Sequence, residues 1–100
     1  MAPLKDLLRI SIDKIMRLTR TDPFESSYKR LPRFVQKKAD RILRFLATDL
    51  RHPSIRAKKI QGAGDVWEGR IDKFHRFTFG IKGDEILLRS IGPHDITKER

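Results

Sequence analysis

Cysteine is missing altogether from this 100-residue chain, which excludes a disulfide scaffold and any thiolate metal site. Long apolar runs are missing too. No stretch approaches the ~18 residues of a membrane span, and the first residues lack the apolar region and small-residue cleavage site of a secretory signal. There is no internal repeat and no low-complexity tract. The three histidines, His52, His75 and His94, stand far apart and without ligand spacing, so neither a metal nor another cofactor is expected. What these absences leave is one domain with one compact core, expected in the reducing cytoplasm.

What is abundant is charge: 36% of residues are charged against 38% hydrophobic, and 23 basic side chains outnumber 13 acidic ones, for a net charge of +10. The excess is local. Residues 1–28 carry five basic and four acidic groups, residues 29–59 carry eleven and two, and residues 60–100 carry seven of each. A field concentrated in one segment attracts a polyanion, with affinity that falls as salt rises. A solvated lysine-rich face and an acidic protein partner are the competing explanations of the same patch.

Hydrophobic spacing outlines the elements. Residues 1–13 read as an N-terminal extension, helical or frayed, and residues 14–100 as a single domain whose first strand lies near residues 14–19. Asp22-Pro23-Phe24-Glu25 has the form of a helix start, with Asp22 as the cap and Glu25 completing a capping box. Phe24, Tyr28 and Leu31 line one face of that helix. Pro32 begins a longer helix to about Leu50, with Val35, Ala39, Ile42, Leu46 and Leu50 as its apolar stripe and Arg33, Lys37, Arg41 and Arg44 opposite. After a basic loop, Arg56 to Gly62, the period becomes two: residues 66–71, 75–82 and 85–91 read as strands joined by turns at Asp72-Lys73 and Gly83-Asp84. The expected class is α+β, a two-helix hairpin packed on one face of a small antiparallel β-sheet, mixed at its N-terminal strand.

This order of elements, on a basic chain of this length, resembles the RelE/ParE superfamily, toxins of bacterial type II toxin–antitoxin systems. The residues that carry the resemblance are Leu31-Pro32 at the helix junction and Lys59-Ile60-Gln61-Gly62 before the second strand, then Trp67 and Arg70 on that strand, His75-Arg76 opening the third and Gly92-Pro93-His94 ending the fourth. The resemblance implies a RelE-like fold and a cognate antitoxin. In the favoured RelE-like branch it also implies ribosome-dependent cleavage of messenger RNA. ParE-like members, which act on DNA gyrase, and a non-catalytic member binding only RNA or an antitoxin are the alternatives.

Cleaving RNA through its own 2′-hydroxyl needs a base, an acid for the leaving 5′-oxygen and cations for the phosphorane, but no metal. His94 is the proton-transfer candidate, since an imidazole supplies either form near neutral pH; the plainer reading is a histidine in a turn. Arg76, whose planar fork suits a phosphate, is the main cation candidate, with a surface pairing to Asp72 or Glu68 as the alternative. Arg70 on the neighbouring strand and Arg89 on the last one complete the expected catalytic set. Arg56, Lys58 and Lys59 in the loop, the stripe Arg33, Lys37, Arg41 and Arg44, and Trp67 and His75 are the expected RNA contacts. Trp67 at that spacing also fits a core position, and Phe74 is a second stacking candidate. Two departures from the family pattern stand out. Lys58 lies where some relatives place a carboxylate base, which leaves a lysine, His94 itself or, as a weaker choice, Glu68. Lys98 lies where nuclease members carry a stacking aromatic.

Overall fold

The computed structural model describes residues 16–62 and 64–94; the 1–13 extension and Lys98 lie outside them. Five strands and two helices follow in the order β1 (Arg17–Arg20), α1 (Asp22–Lys29), α2 (Arg33–Thr48), β2 (Lys58–Lys59), β3 (Trp67–Arg70), β4 (His75–Lys82) and β5 (Glu85–Pro93). The sheet order is β1-β5-β4-β3-β2, with β1 parallel to β5 and every other pair antiparallel. The expected α+β class, helix hairpin and mixed sheet are all present.

Helix α1 is capped one residue before the expected position. Thr21, not Asp22, is the N-cap: its side chain accepts from Phe24 N–H at 3.4 Å while its hydroxyl donates to the Leu88 carbonyl at 2.7 Å. Threonine wins because it reaches both the free helical donor and the neighbouring strand, whereas Asp22 is left in the first turn, where its charge suits the helix dipole. Glu25 does not reach back to a cap; it holds Arg20 at 2.9 Å. Further along, the buried Ser27 Oγ accepts from Ile91 N–H at 3.2 Å, so α1 is tied to β5 at two points. Pro32 caps α2, and that helix buries Val35, Ala39, Ile42, Leu43 and Leu46. The two helices are joined side by side by Tyr28 Oη donating to Asp40 at 2.7 Å and Gln36 donating to the Tyr28 carbonyl at 2.9 Å. Burial and the adjacent Asp40 carboxylate both push the Tyr28 hydroxyl pKa up, which keeps it a donor.

The core lies between this hairpin and one face of the sheet. Phe24, Val35, Ala39, Leu46, Ile55, Phe77, Phe79, Ile86 and Leu88 are all fully buried. The register pairs Phe77 with Ile91, and Phe79 with both Trp67 and Leu88, so alternate residues of three strands meet the helices. Strict alternation on β5 would send Ser90 inward after Leu88. A bulge prevents it: Thr78 pairs with Ser90 but Phe79 pairs with Leu88, leaving Arg89 without a partner in the register. Ile91 thereby turns to the core, and Ser90 meets Thr78 on the opposite face, where their hydroxyls bond at 2.7 Å.

The basic loop before the sheet is more ordered than its composition implies. Ile55 is fully buried and its carbonyl accepts from Arg70 N–H at 2.7 Å. Lys58 and Lys59 then form a two-residue edge strand paired with Glu68 and Trp67. A strand this short has no period to read in a sequence. No helix among the described residues is long and apolar enough to cross a membrane.

Candidate active site

The face of the sheet turned away from the helices carries the alternate residues Lys58, Glu68, Arg70, Arg76, Thr78 and Ser90. A cleft of about 230 Å³ opens there, lined by Arg56, Lys58, Glu68, Gly69, Arg70, Arg76 and His94. Two larger hollows, about 350 Å³ beside β1 and about 330 Å³ between α2 and the β3–β4 turn, contain neither His94 nor the paired arginines. Four cations, one carboxylate and one imidazole therefore meet in the smallest of the three.

Arg70 and Arg76 are direct cross-strand partners, an arrangement that like charges normally disfavour. It is held by acceptors supplied from the chain. Arg70 Nε donates to the Asp72 carbonyl at 3.3 Å and Arg76 Nη1 to the same oxygen at 2.7 Å. Arg76 Nη1 also donates to the His75 carbonyl at 3.0 Å, and its Nε lies 3.3 Å from Glu68 Oε2. The Arg76 and Glu68 side chains are only 15% and 12% exposed, so this ion pair is screened far less than a surface one. Glu68 Oε1 is also 3.9 Å from Lys58 Nζ. With four cations against a single carboxylate, the cleft keeps a net positive potential when His94 is neutral.

The turn that supplies the shared carbonyl is itself clamped. The Asp72 carboxylate accepts from Phe74 N–H at 2.8 Å, from His75 N–H and Nδ1 at 2.9 Å each, and from Lys38 of α2 at 3.2 Å. Burial alone would raise its pKa. The hydrogen bonds from the His75 ring, the Phe74 amide and Lys38 outweigh that and hold the carboxyl far below the usual carboxylate range. A rigid, ionised Asp72 thus fixes the hairpin whose carbonyl orients both arginines.

Arg56 enters the cleft from an unusual backbone. Its φ is +50°, the one positive value at a non-glycine position among the described residues, and such a conformation costs of order 1 kcal/mol or more. The buried Ile55 before it and the paired Lys58 after it hold it there. Gly69 forms part of the floor, and on its core side the Phe77 ring fills the space above its Cα: a Cβ added there would lie 2.3 Å from Phe77 Cζ. Opposite Arg76, on β5, stands Gly92, and His94 follows two residues later, exposed at the rim.

The fold therefore gathers Arg70, Arg76 and His94 from the expected catalytic set, with Arg56 and Lys58 from the expected RNA contacts. Others go elsewhere. Arg89 is exposed on the bulge and does not line the cleft. Trp67 is core: it is 9% exposed and packs on Phe79 with ring centroids 6.5 Å apart, because its side of β3 is the one that faces the helices. Lys59 shares that side of the sheet through its pairing with Trp67, and lies 3.8 Å from Asp65. His75 is half-buried against Asp72. Arg33, Lys37, Arg41 and Arg44 are exposed on the side of α2 turned away from the sheet. Arg76 does pair with Glu68, and with the carbonyl of Asp72 rather than its carboxylate. Sequence reasoning underrates Glu68 and Asp72 and passes over Gly69. The two-residue step from Glu68 to Arg70 is the signal that places that pair on one face.

No family model matches the sequence, and no curated protein matches it by sequence. Solved structures do. The YoeB dimer of Staphylococcus aureus superposes with a TM-score of 0.62 at 17% identity, covering 80% of this chain and 98% of that one. The RelB–RelE antitoxin–toxin complex of Methanococcus jannaschii gives 0.63 at 18% identity, covering 80% and 94%. YafQ of E. coli gives 0.65 at 10% identity, covering 82% and 97%. At such identities what is shared is the fold, and the chain has the fold of the RelE-like toxins.

Proposed function

We propose that this protein is the toxin of a toxin–antitoxin pair and a ribosome-dependent endoribonuclease that cuts messenger RNA by 2′-hydroxyl transesterification. The observation that carries the reading is the cleft on the open sheet face, which brings His94 together with two adjacent guanidiniums on a RelE-like fold. Arg76 and Arg70 bind the non-bridging oxygens of the scissile phosphate and offset the charge that builds on the phosphorane. His94, as imidazolium, protonates the departing 5′-oxygen. Arg56 and Lys58 hold the flanking phosphates, and the α2 stripe Arg33, Lys37, Arg41 and Arg44 adds long-range attraction to ribosomal RNA. A cognate antitoxin silences the protein by covering the cleft with an acidic segment.

The test is induction of the protein in growing bacteria, followed by primer extension on translated messages. New 5′ ends within open reading frames, lost together with growth arrest in His94→Ala and Arg76→Ala proteins that remain folded, are the expected outcome. Intact messages accompanied by a DNA-damage response would replace this reading with gyrase inhibition. Growth without arrest would leave a member that only binds RNA or its antitoxin.

A further inference from the structure

Transesterification requires a group to take the 2′-hydroxyl proton, and the loop before β3 brings only the cations Arg56 and Lys58 to the cleft. We infer that Glu68 is that general base. Among the described residues it is the only carboxylate lining the cleft, it comes from β3 rather than from the loop, and it lines the same 230 Å³ space as His94. The inference rests on the nuclease reading.

The ion pair with Arg76 explains how a carboxylate is kept ready in a cationic cleft. Without RNA, Glu68 Oε2 occupies one donor edge of Arg76 at 3.3 Å, and Lys58 stands 3.9 Å from its other oxygen. In this state Glu68 serves as a stand-in for the phosphate. A bound scissile phosphate competes for the same guanidinium edge, since both anions fit its planar fork. Arg76 remains anchored to the Asp72 carbonyl at 2.7 Å during the exchange, so the carboxylate, not the arginine, is released. The freed carboxylate then lies beside the phosphate and within the space that the adjoining ribose must enter. Substrate binding and exposure of the base are one event.

Glu68 takes the proton of the 2′-hydroxyl as the 2′-oxygen forms its bond to phosphorus, the bond from phosphorus to the 5′-oxygen breaks, and His94 gives that oxygen a proton. The products are a 2′,3′-cyclic phosphate and a 5′-hydroxyl, with one proton moved from His94 to Glu68 overall and returned through solvent.

The experiment is single-turnover cleavage on ribosomes programmed with a short message, carrying either the natural linkage or a 5′-phosphorothiolate at the cleavage site. Sulfur leaves without needing a proton, so the two proton-transfer roles separate. His94→Ala is expected to lose about 100-fold or more on the oxygen linkage and to recover on sulfur. Glu68→Gln is expected to lose a similar factor on both. Should Glu68→Gln fail to fold, as judged by circular dichroism, Glu68→Asp keeps a negative charge for Arg76 but sets the carboxylate back by one methylene, and a smaller loss, equal on the two linkages, is expected. Glu68 variants within threefold of the parent, or variants rescued by sulfur, would overturn the assignment while leaving the nuclease reading intact. A parent protein that cleaves neither message overturns the nuclease reading, and the role of Glu68 with it.

Discussion

Two groups of four cations sit on opposite sides of this molecule. On α2, Arg33, Lys37, Arg41 and Arg44 form an exposed row with the sheet behind it. Across the sheet, Arg56, Lys58, Arg70 and Arg76 surround a cleft. The number of charges is the same, but the freedom of the side chains is not. Arg41 leans on the Phe45 ring at 5.7 Å, and otherwise the row resembles any solvated helix face, where each long side chain keeps its rotamer entropy until something binds. In the cleft, Arg76 is fixed by a carboxylate and two carbonyls, Arg70 by one of the same carbonyls, and Arg56 by a backbone it would not adopt alone. One group supplies potential and the other supplies geometry. Geometry is what stabilises a transition state more than a ground state.

The contrast predicts a gradient of effects. The largest falls on Arg76→Ala and His94→Ala: each is expected to lower cleavage by roughly 100-fold or more, measured as single-turnover rate, with the circular dichroism spectrum unchanged. If substitutions along α2 cost as much, the distinction between the two groups collapses. Next comes Gly69→Ala, which forces the Phe77 ring from its place in the core beneath the strand and is expected to cost about 1–3 kcal/mol in chemical denaturation, whereas an alanine at an α2 row position stays within about 0.5 kcal/mol.

Asp72→Asn is expected to lower stability at pH 7 by about 1–3 kcal/mol, because the Phe74 and His75 amides, the His75 ring and Lys38 lose a charged acceptor. It also changes the pH dependence, with a definite sign. Folding lowers the Asp72 pKa, so the ionised form contributes its full stability above the unfolded value of about 4 and loses it as the pH falls toward the folded one. Urea midpoints should therefore drop on acidification below pH 4 in the parent and drop less in Asp72→Asn. Equal acid sensitivity would mean that other carboxylates dominate. The smallest effect belongs to Lys37→Ala or Arg41→Ala: RNA affinity weakens uniformly across sequences, and the slope of log affinity against log salt falls by about one per cation removed.

Long periodic elements are legible in the residue order alone. The α2 stripe and the His75–Lys82 strand lie where their spacing puts them, since the period of a buried face is written directly along the chain. The parity that sets Arg70 and Arg76 on the open face is equally readable. Features set by contacts between distant segments are not. Thr21 outcompetes Asp22 as a cap only because β5 offers it a carbonyl. The two-residue β2 exists only because β3 is there to pair with it. The bulge that leaves Arg89 outside the cleft is a property of two strands together. The sequence offers Asp72 and Glu68 alike as carboxylate partners of Arg76, and the hairpin register decides for Glu68 on the adjoining strand.

The strand order also imposes a sequence in time. β5 follows the other four strands along the chain, yet it lies second in the sheet, between β1 and β4. A chain growing from its N-terminus therefore presents β1 and both helices while their central neighbour has still to be made. The anchors of α1, through Thr21 and Ser27, are likewise to the backbone of β5. Pairings this distant in sequence are slow to form. The cleft, which needs Gly92 opposite Arg76 and His94 beyond it, consequently cannot form before β5 has paired. Until β5 is in place the chain carries the cationic helix but not the cleft.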